Sequence, residues 1–182
     1  MFSEMSVTDI AGQLVSLVAL GFCIVGFASK QDDRLMVLLI SANVAFAIQF
    51  ALFGSWTAAV LSLLVIGRII LARRYLGNWW VMLAVLGVNL VAAALTWRSP
   101  VDYFAIAAAA FGTVGMFMLR GIPMRLMLAA AASAWMLNNL VIGSVGGTLA
   151  EGMVVITNFI TIFRLVRMKR RYPEAVEKLN GS

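Results

Sequence analysis

The chain has 182 residues, 63% of them apolar and only 12% charged, and a mean hydropathy of +0.98. A water-soluble domain of this size cannot hide so much apolar surface, so a soluble globular reading is excluded and the bilayer is the solvent. The net charge of +6 lies between apolar runs as a topology signal rather than a nucleic-acid footprint, and no nucleic-acid partner is expected.

Apolar segments fall at about residues 9–29, 35–53, 56–73, 79–97, 101–119, 123–142 and 147–166, each near the roughly 20 residues that a hydrocarbon core of ~30 Å requires. Backbone amides in lipid must be bonded within the segment, and polar turn clusters are too few for a barrel, so the spacing predicts seven transmembrane helices in an all-α polytopic membrane protein. Gly54–Ser55 and Gly143–Gly147 form uncharged connections, whereas Ser29–Arg34, Arg73–Asn78 and Arg120–Met124 are basic. The first span has neither a basic leader nor a small-residue cleavage site and is expected to stay as a helix.

Lys30, Arg34, Arg73, Arg74, Arg120, Arg125 and, in the tail, Arg164, Arg167, Lys169, Arg170, Arg171 and Lys178 fall on one side of these spans; Arg98 falls on the other. Cytoplasmic loops retain positive charge, so the C-terminus is expected in the cytoplasm and the N-terminus, with Glu4 and Asp9, in the periplasm. The run Arg164–Arg171 is suited to anionic lipids. Trp56, Trp97 and Tyr103 fall at outer span ends and Tyr75, Trp79, Trp80 and Tyr172 at inner ones, where amphipathic rings anchor at the headgroups. Cys23 stands alone in an apolar helix, which gives neither a disulfide framework nor a redox pair. The eleven methionines read as packing or lipid-facing side chains.

The chain also repeats itself. Phe46-x-x-Gln49-x-x-x-x-Gly54-Ser55 in the second span is echoed 89 residues later by Trp135-x-x-Asn138-x-x-x-x-Gly143-Ser144 in the sixth. Arg34-Leu35-Met36 recurs as Arg125-Leu126-Met127, and Arg73 as Arg164, at an offset of 91. Spans 1–3 and 5–7 are therefore expected to form two three-helix units. Because three is odd, a single fourth span is needed to make them parallel, giving a 3+1+3 plan of a kind associated with transporters whose site lies where the repeats meet. A single membrane domain over 1–182 follows, with repeat 1 at 9–74, a linker helix at 79–97, repeat 2 at 101–167 and a basic tail at 168–182.

Gly143-Ser144-x-Gly146-Gly147-Thr148-x-x-Glu151-Gly152, followed by Asn158 and Arg164 and preceded by Arg68 and Trp79-Trp80, resembles the YgjV-type family of bacterial inner-membrane proteins over essentially the full length. The resemblance implies a place in the bacterial inner membrane and brings no activity with it. The three-helix repeat is more distantly similar in architecture to the SWEET, PQ-loop and mitochondrial pyruvate carrier group, which implies transport of a sugar or small metabolite. The chain departs from that group in having no Pro-Gln pair, and Pro100, Pro123 and Pro173 sit at span ends or in the tail, so the group's proline-assisted flexing has no counterpart here. Gly21, Gly26, Gly67, Gly87, Gly112 and Gly115 are instead available for bending or close packing, packing being the simpler role.

Polar residues inside the spans carry whatever chemistry the chain has. In the seventh span Gly147, Glu151, Val154, Asn158 and Thr161 recur at three- and four-residue steps and share a face. Glu151 reads either as an outer anchor or as a titratable or cation-attracting group at the mouth of a cavity; Asn158, nearer the midplane, as helix glue or a ligand for a hydroxyl. Trp135, Asn138 and Asn139 in the sixth span offer an aromatic face beside two amides, suited to a polyol or sugar, or else a packed ring with interhelical bonds. Phe46 and Gln49, with Asn43 one turn away, are placed as the opposite wall, and Asn89 reads as glue. Arg68 either snorkels to the headgroups or captures an anionic group such as a carboxylate; an ion pair with Glu151 would have to span opposite ends of the bilayer.

The sequence contains no histidine, which excludes His-ligated haem, His-bearing metal sites and Ser–His triads. The seventh span holds no retinal-type lysine, paired intramembrane carboxylates are missing, and no Gly-Lys-Ser/Thr follows the glycine-rich turn. Neither an enzyme activity nor a cofactor is expected. Two classes remain, with an oligomer compatible with either: a facilitative carrier of a small polar metabolite (a sugar, polyol or small organic acid), and a non-transporting scaffold, receptor or assembly protein. The carrier predicts a polar cavity lined by Trp135, Asn138, Asn158 and Arg68; the scaffold predicts that these groups bond one another in a dry centre.

Overall fold

The computed structural model describes residues 6–28 and 32–171, and among these every regular element is a helix. The helices are α1 (Val7–Ala28), α2 (Asp32–Leu52), α3 (Trp56–Arg74), α4 (Trp79–Thr96), α5 (Asp102–Met118), α6 (Gly121–Val141) and α7 (Val145–Arg171). Four of them, α1, α3, α4 and α7, are long and apolar enough to cross a membrane. Helix α6 matches them in length, but Arg125, Asn138 and Asn139 lower its hydropathy. The expectations for Glu4, Lys30, Tyr172, Pro173 and Lys178 lie outside the described residues.

Boundaries move from the expected ones for local reasons. Helix α1 begins at Val7 because Ser6 and Asp9 cap it, the Ser6 amide donating to Asp9 Oδ2 at 3.0 Å. Pro123 does not start α6 but lies in its first turn, where its missing N–H costs no helical bond. Helix α7 continues through Arg171, so the first residues of the expected tail are helical. Arg and Lys are good helix formers, and positive charge is favourable at a helix C-terminus.

Successive helices run up and down. At one end of the bundle the α2–α3 and α6–α7 turns lie with the start of α1: the side chain of Gln13 donates to the Gly143 carbonyl at 2.6 Å and accepts from the Val145 amide at 3.1 Å. Thr57 Oγ1 donates to the Thr96 carbonyl at 2.9 Å, and the rings of Trp97 and Tyr103 meet edge to face, which brings the end of α4 and the start of α5 to the same side. We call this the hairpin end. At the other, basic end the Gly77 amide of the α3–α4 turn donates to the Phe117 carbonyl near the end of α5. Arg34, Arg73, Arg74, Arg120 and the Arg164–Arg171 run mark this end.

Packing closes a ring. Helices α1, α2 and α3 contact in that order, as do α5, α6 and α7; α3 meets α5 and α7 meets α1, while α4 packs only on α3 and α5 among the principal contacts. Alanines such as Ala19, Ala42, Ala58, Ala105, Ala108 and Ala150 are buried along these seams, and small side chains let helix backbones approach closely. The closest approach uses Gly146, where a Cβ would strike the backbone of Ser16 on α1. Of the glycines named from the sequence, Gly112 and Gly115 do pack closely, against the Arg68 guanidinium and Met127 respectively, whereas a Cβ at Gly21, Gly67 or Gly87 meets nothing within 4 Å.

Two local structures occur twice. In the α2–α3 turn the amides of Phe53, Gly54 and Ser55 donate to the carbonyls of Gln49, Ala51 and Phe50; in the α6–α7 turn those of Ile142, Gly143 and Ser144 donate to Asn138, Leu140 and Asn139. Every donor and acceptor is shifted by the same 89 residues. Gly54 and Gly143 occupy the left-handed region at φ 72° and 79°, which a side chain would strain. The starts of α1 and α5 match as well: the Ser99 amide donates to Asp102 Oδ2 at 3.1 Å, as Ser6 does to Asp9.

Candidate functional site

A cavity of about 250 Å³ occupies the middle of the ring, between α1, α2, α3, α6 and α7. Six of the nine residues expected to carry the chemistry line it: Asn43, Phe46, Arg68, Trp135, Glu151 and Asn158. Cys23, Arg125 and Thr157 join them.

The wall follows from helical period. Arg125, Leu128, Ala132 and Trp135 lie at three- and four-residue steps on α6, and Glu151, Val154 and Asn158 on α7, so each set faces one way. Trp135 is buried, unlike Trp56, Trp79, Trp80 and Trp97, which are exposed at helix ends. Its ring stacks on Phe50 at a centroid distance of 5.4 Å, and Phe50 in turn meets Phe46.

Asn138, Asn139 and Gln49 do not line the cavity. They sit one turn further toward the hairpin end and are fully buried there. Gln49 Nε2 donates to Asn139 Oδ1 at 3.0 Å, and Asn139 Nδ2 donates to the Trp135 carbonyl at 3.0 Å. The Ser144 hydroxyl accepts from the Gly147 amide, and the Ser16 hydroxyl accepts from the Gly146 amide. This layer seals the hairpin end. It is incompletely satisfied, because both side-chain polar atoms of Asn138 and Oε1 of Gln49 are buried with no hydrogen-bond partner among the described residues. Among the lining residues Asn43 near the middle of α2 and Arg125 near the basic end are partly exposed and Thr157 is exposed, so the cavity opens to the surface below the sealed layer.

Arg68 does not reach out to the headgroups. It is buried, donates from Nη1 to the Ala109 carbonyl of α5 at 3.2 Å, and leaves Nε without a partner among the described residues. The absence of a side chain at Gly112 makes room for its guanidinium. Arg68 and Glu151 line the same cavity and interact electrostatically across it, with no ion pair between them among the described residues. Asn158 Nδ2 bonds the Val154 carbonyl of its own helix at 2.9 Å, and its Oδ1 receives a long 3.5 Å contact from Arg125 Nη1. Asn43 and Asn89 likewise donate to carbonyls one turn back, at 2.8 and 2.7 Å, so among the described residues Asn89 bonds within its own helix and not across to a neighbour.

Arg125 is the residue that sequence reasoning missed, since it counts there only among the basic residues on one side of the spans. Its signal was present in the spacing Arg125, Leu128, Ala132, Trp135, which continues the face of α6 into its first turn. Arg68, Arg125 and Glu151, two amides and an indole thus surround one space. Such a set can hold a small polar molecule by charge-assisted hydrogen bonds in a region of low dielectric.

Comparison with known proteins agrees with this membrane architecture at the level of family. The inner membrane protein YgjV of Escherichia coli (strain K12) is 25% identical over 168 residues, covering 91% of each chain. No solved structure matches the chain. A family model described as a bacterial inner membrane protein, Imp-YgjV, matches residues 10–169, and the chain therefore belongs to that bacterial inner membrane protein family.

Proposed function

We propose that the chain is a seven-span carrier that moves a small polar metabolite across the bacterial inner membrane by alternating access, without catalysing a reaction. The observation that carries this reading is the central cavity, in which Arg68, Glu151, Asn158 and Trp135 face one accessible space. Charged groups within lipid are costly and are more tolerable beside water or a ligand than isolated. The layer of Gln49, Asn139 and Phe50 on one side and the accessible basic end on the other correspond to a carrier open to the cytoplasm, with its N-terminus in the periplasm and its C-terminus in the cytoplasm.

The 3+1+3 plan belongs to the same proposal. Exchanging α1, α2 and α3 with α5, α6 and α7 maps the ring of contacts onto itself, and the matching turns at Gly54 and Gly143 and caps at Asp9 and Asp102 support parallel repeats. The exposed Arg164, Arg167, Lys169 and Arg170 suit anionic headgroups on the cytoplasmic face.

Uptake into proteoliposomes tests the carrier. Asn158→Ala and Trp135→Phe, which keeps an aromatic ring against Phe50, should keep the parent's melting temperature within several degrees while strongly reducing uptake of whichever sugar, polyol, amino acid or small organic acid the parent moves. A second reading, a scaffold whose polar groups only join helices, is favoured by the Gln49–Asn139 bond and by the position of Asn138 away from the cavity. It prevails if no compound is taken up and both variants fail to insert.

A further inference from the structure

We propose that the central cavity binds a small zwitterion, a carboxylate that also bears an ammonium group, with the carboxylate toward the basic end and the ammonium toward the hairpin end. This rests on the carrier reading and names the chemistry of its substrate. The charged groups of the cavity are segregated along its axis. Glu151 and Asn158 on α7 are separated by about 10 Å, and Trp135 and Arg125 on α6 by about 15 Å, at 1.5 Å per residue. Glu151 and Trp135 are the members nearer the hairpin end. Arg68 lies twelve residues below the start of α3 and Asn158 thirteen below the start of α7, so the two are level, with Arg125 toward the basic end.

The lower level is built for an anion. Arg68 keeps a buried Nε without a partner among the described residues. Arg125 spends one donor on a 3.5 Å contact to a neutral amide and has others to offer. A guanidinium presents its donors as a planar fork that matches a carboxylate, so two of them on one cavity favour that group over a hydroxyl. The upper level pairs a carboxylate with an indole, the combination that receives an ammonium group by charge and by the ring face.

Other ligand classes leave charges unanswered. A simple acid brings Glu151 no cation beyond Arg68 and a simple amine brings the two guanidiniums no anion beyond Glu151, while a neutral sugar desolvates all three charges with only the Arg68–Glu151 attraction to offset the cost. The volume of about 250 Å³ accommodates an amino acid.

The test uses the purified full-length protein and three matched probe sets: the common L-amino acids, the same molecules lacking the α-amino group, and the same molecules lacking the carboxylate. Thermal-shift titrations should find at least one amino acid that binds tenfold or more tighter than both of its matched congeners. Glu151→Gln should erase the preference over the des-amino acid, and Arg125→Gln the preference over the amine. The proposal is overturned if every amino acid that binds is matched in affinity by its acid or amine congener, or if no amino acid shifts the melting temperature. The comparison within the parent needs no variant to fold. Uptake of a sugar or plain acid with no response to amino acids would sink the zwitterion and leave the carrier. Binding of an amino acid with no uptake of any compound would sink the carrier alone.

Discussion

Gln49 on α2 donates from Nε2 to Oδ1 of Asn139 on α6 at 3.0 Å, joining two fully buried amides across the ring. The neighbouring Phe50 stacks on Trp135. These two contacts form the roof of the cavity. Hydrogen bonds between helices in a bilayer are worth about 0.6–2 kcal/mol. In a double-mutant cycle, Gln49→Ala and Asn139→Ala should each destabilise, with a coupling of about 0.5–2 kcal/mol. Reversible unfolding in mixed micelles measures it, and strictly additive effects would mean the bond contributes nothing.

Close approach of α7 to α1 depends on the missing side chain of Gly146, whereas Gly21 has open space around it. Gly146→Ala should cost about 1–3 kcal/mol through overpacking against backbone. Gly21→Ala should be neutral or should stabilise by up to about 1 kcal/mol through helix propensity. Melting temperatures of the two variants side by side check this, and an equal response would refute the packing assignment.

Orientation rests on the basic residues gathered at one end of the bundle. Reporter fusions at the C-terminus should be active only with a cytoplasmic reporter, and fusions in the α2–α3 or α6–α7 turns only with a periplasmic one. A C-terminal fusion active only in the periplasm would reverse the topology and turn the accessible end of the cavity outward.

Much of this was readable from residue order. Seven helices, the echo of Phe46–Ser55 in Trp135–Ser144 and the burial of Trp135 follow from apolar length, spacing and the mid-span position of one indole. The choice between neighbouring amides did not follow. Trp135, Asn138 and Asn139 lie at three- and four-residue steps near one face of α6, so whether the amides reach the cavity or lie in the layer above it depends on where the cavity ends along the helix, which a spacing pattern leaves open. Arg68 was hidden for a different reason: its burial depends on Gly112, forty-four residues away on α5. Asp9 and Asp102 were legible but unread, since Ser-x-x-Asp at the start of an apolar run has the spacing of a capping box.

Access of water-borne reagents to the centre of the ring tests the account most directly. In a Cys23→Ala background, Ala132→Cys places a thiol on the cavity wall, and Val91→Cys places one on the exposed apolar face of α4. A charged, membrane-impermeant thiol reagent applied to the cytoplasmic face should label the first and leave the second untouched, and a bound substrate should protect the first. Failure to label Ala132→Cys from either face, with the protein folded, would mean a dry centre and contradict the carrier.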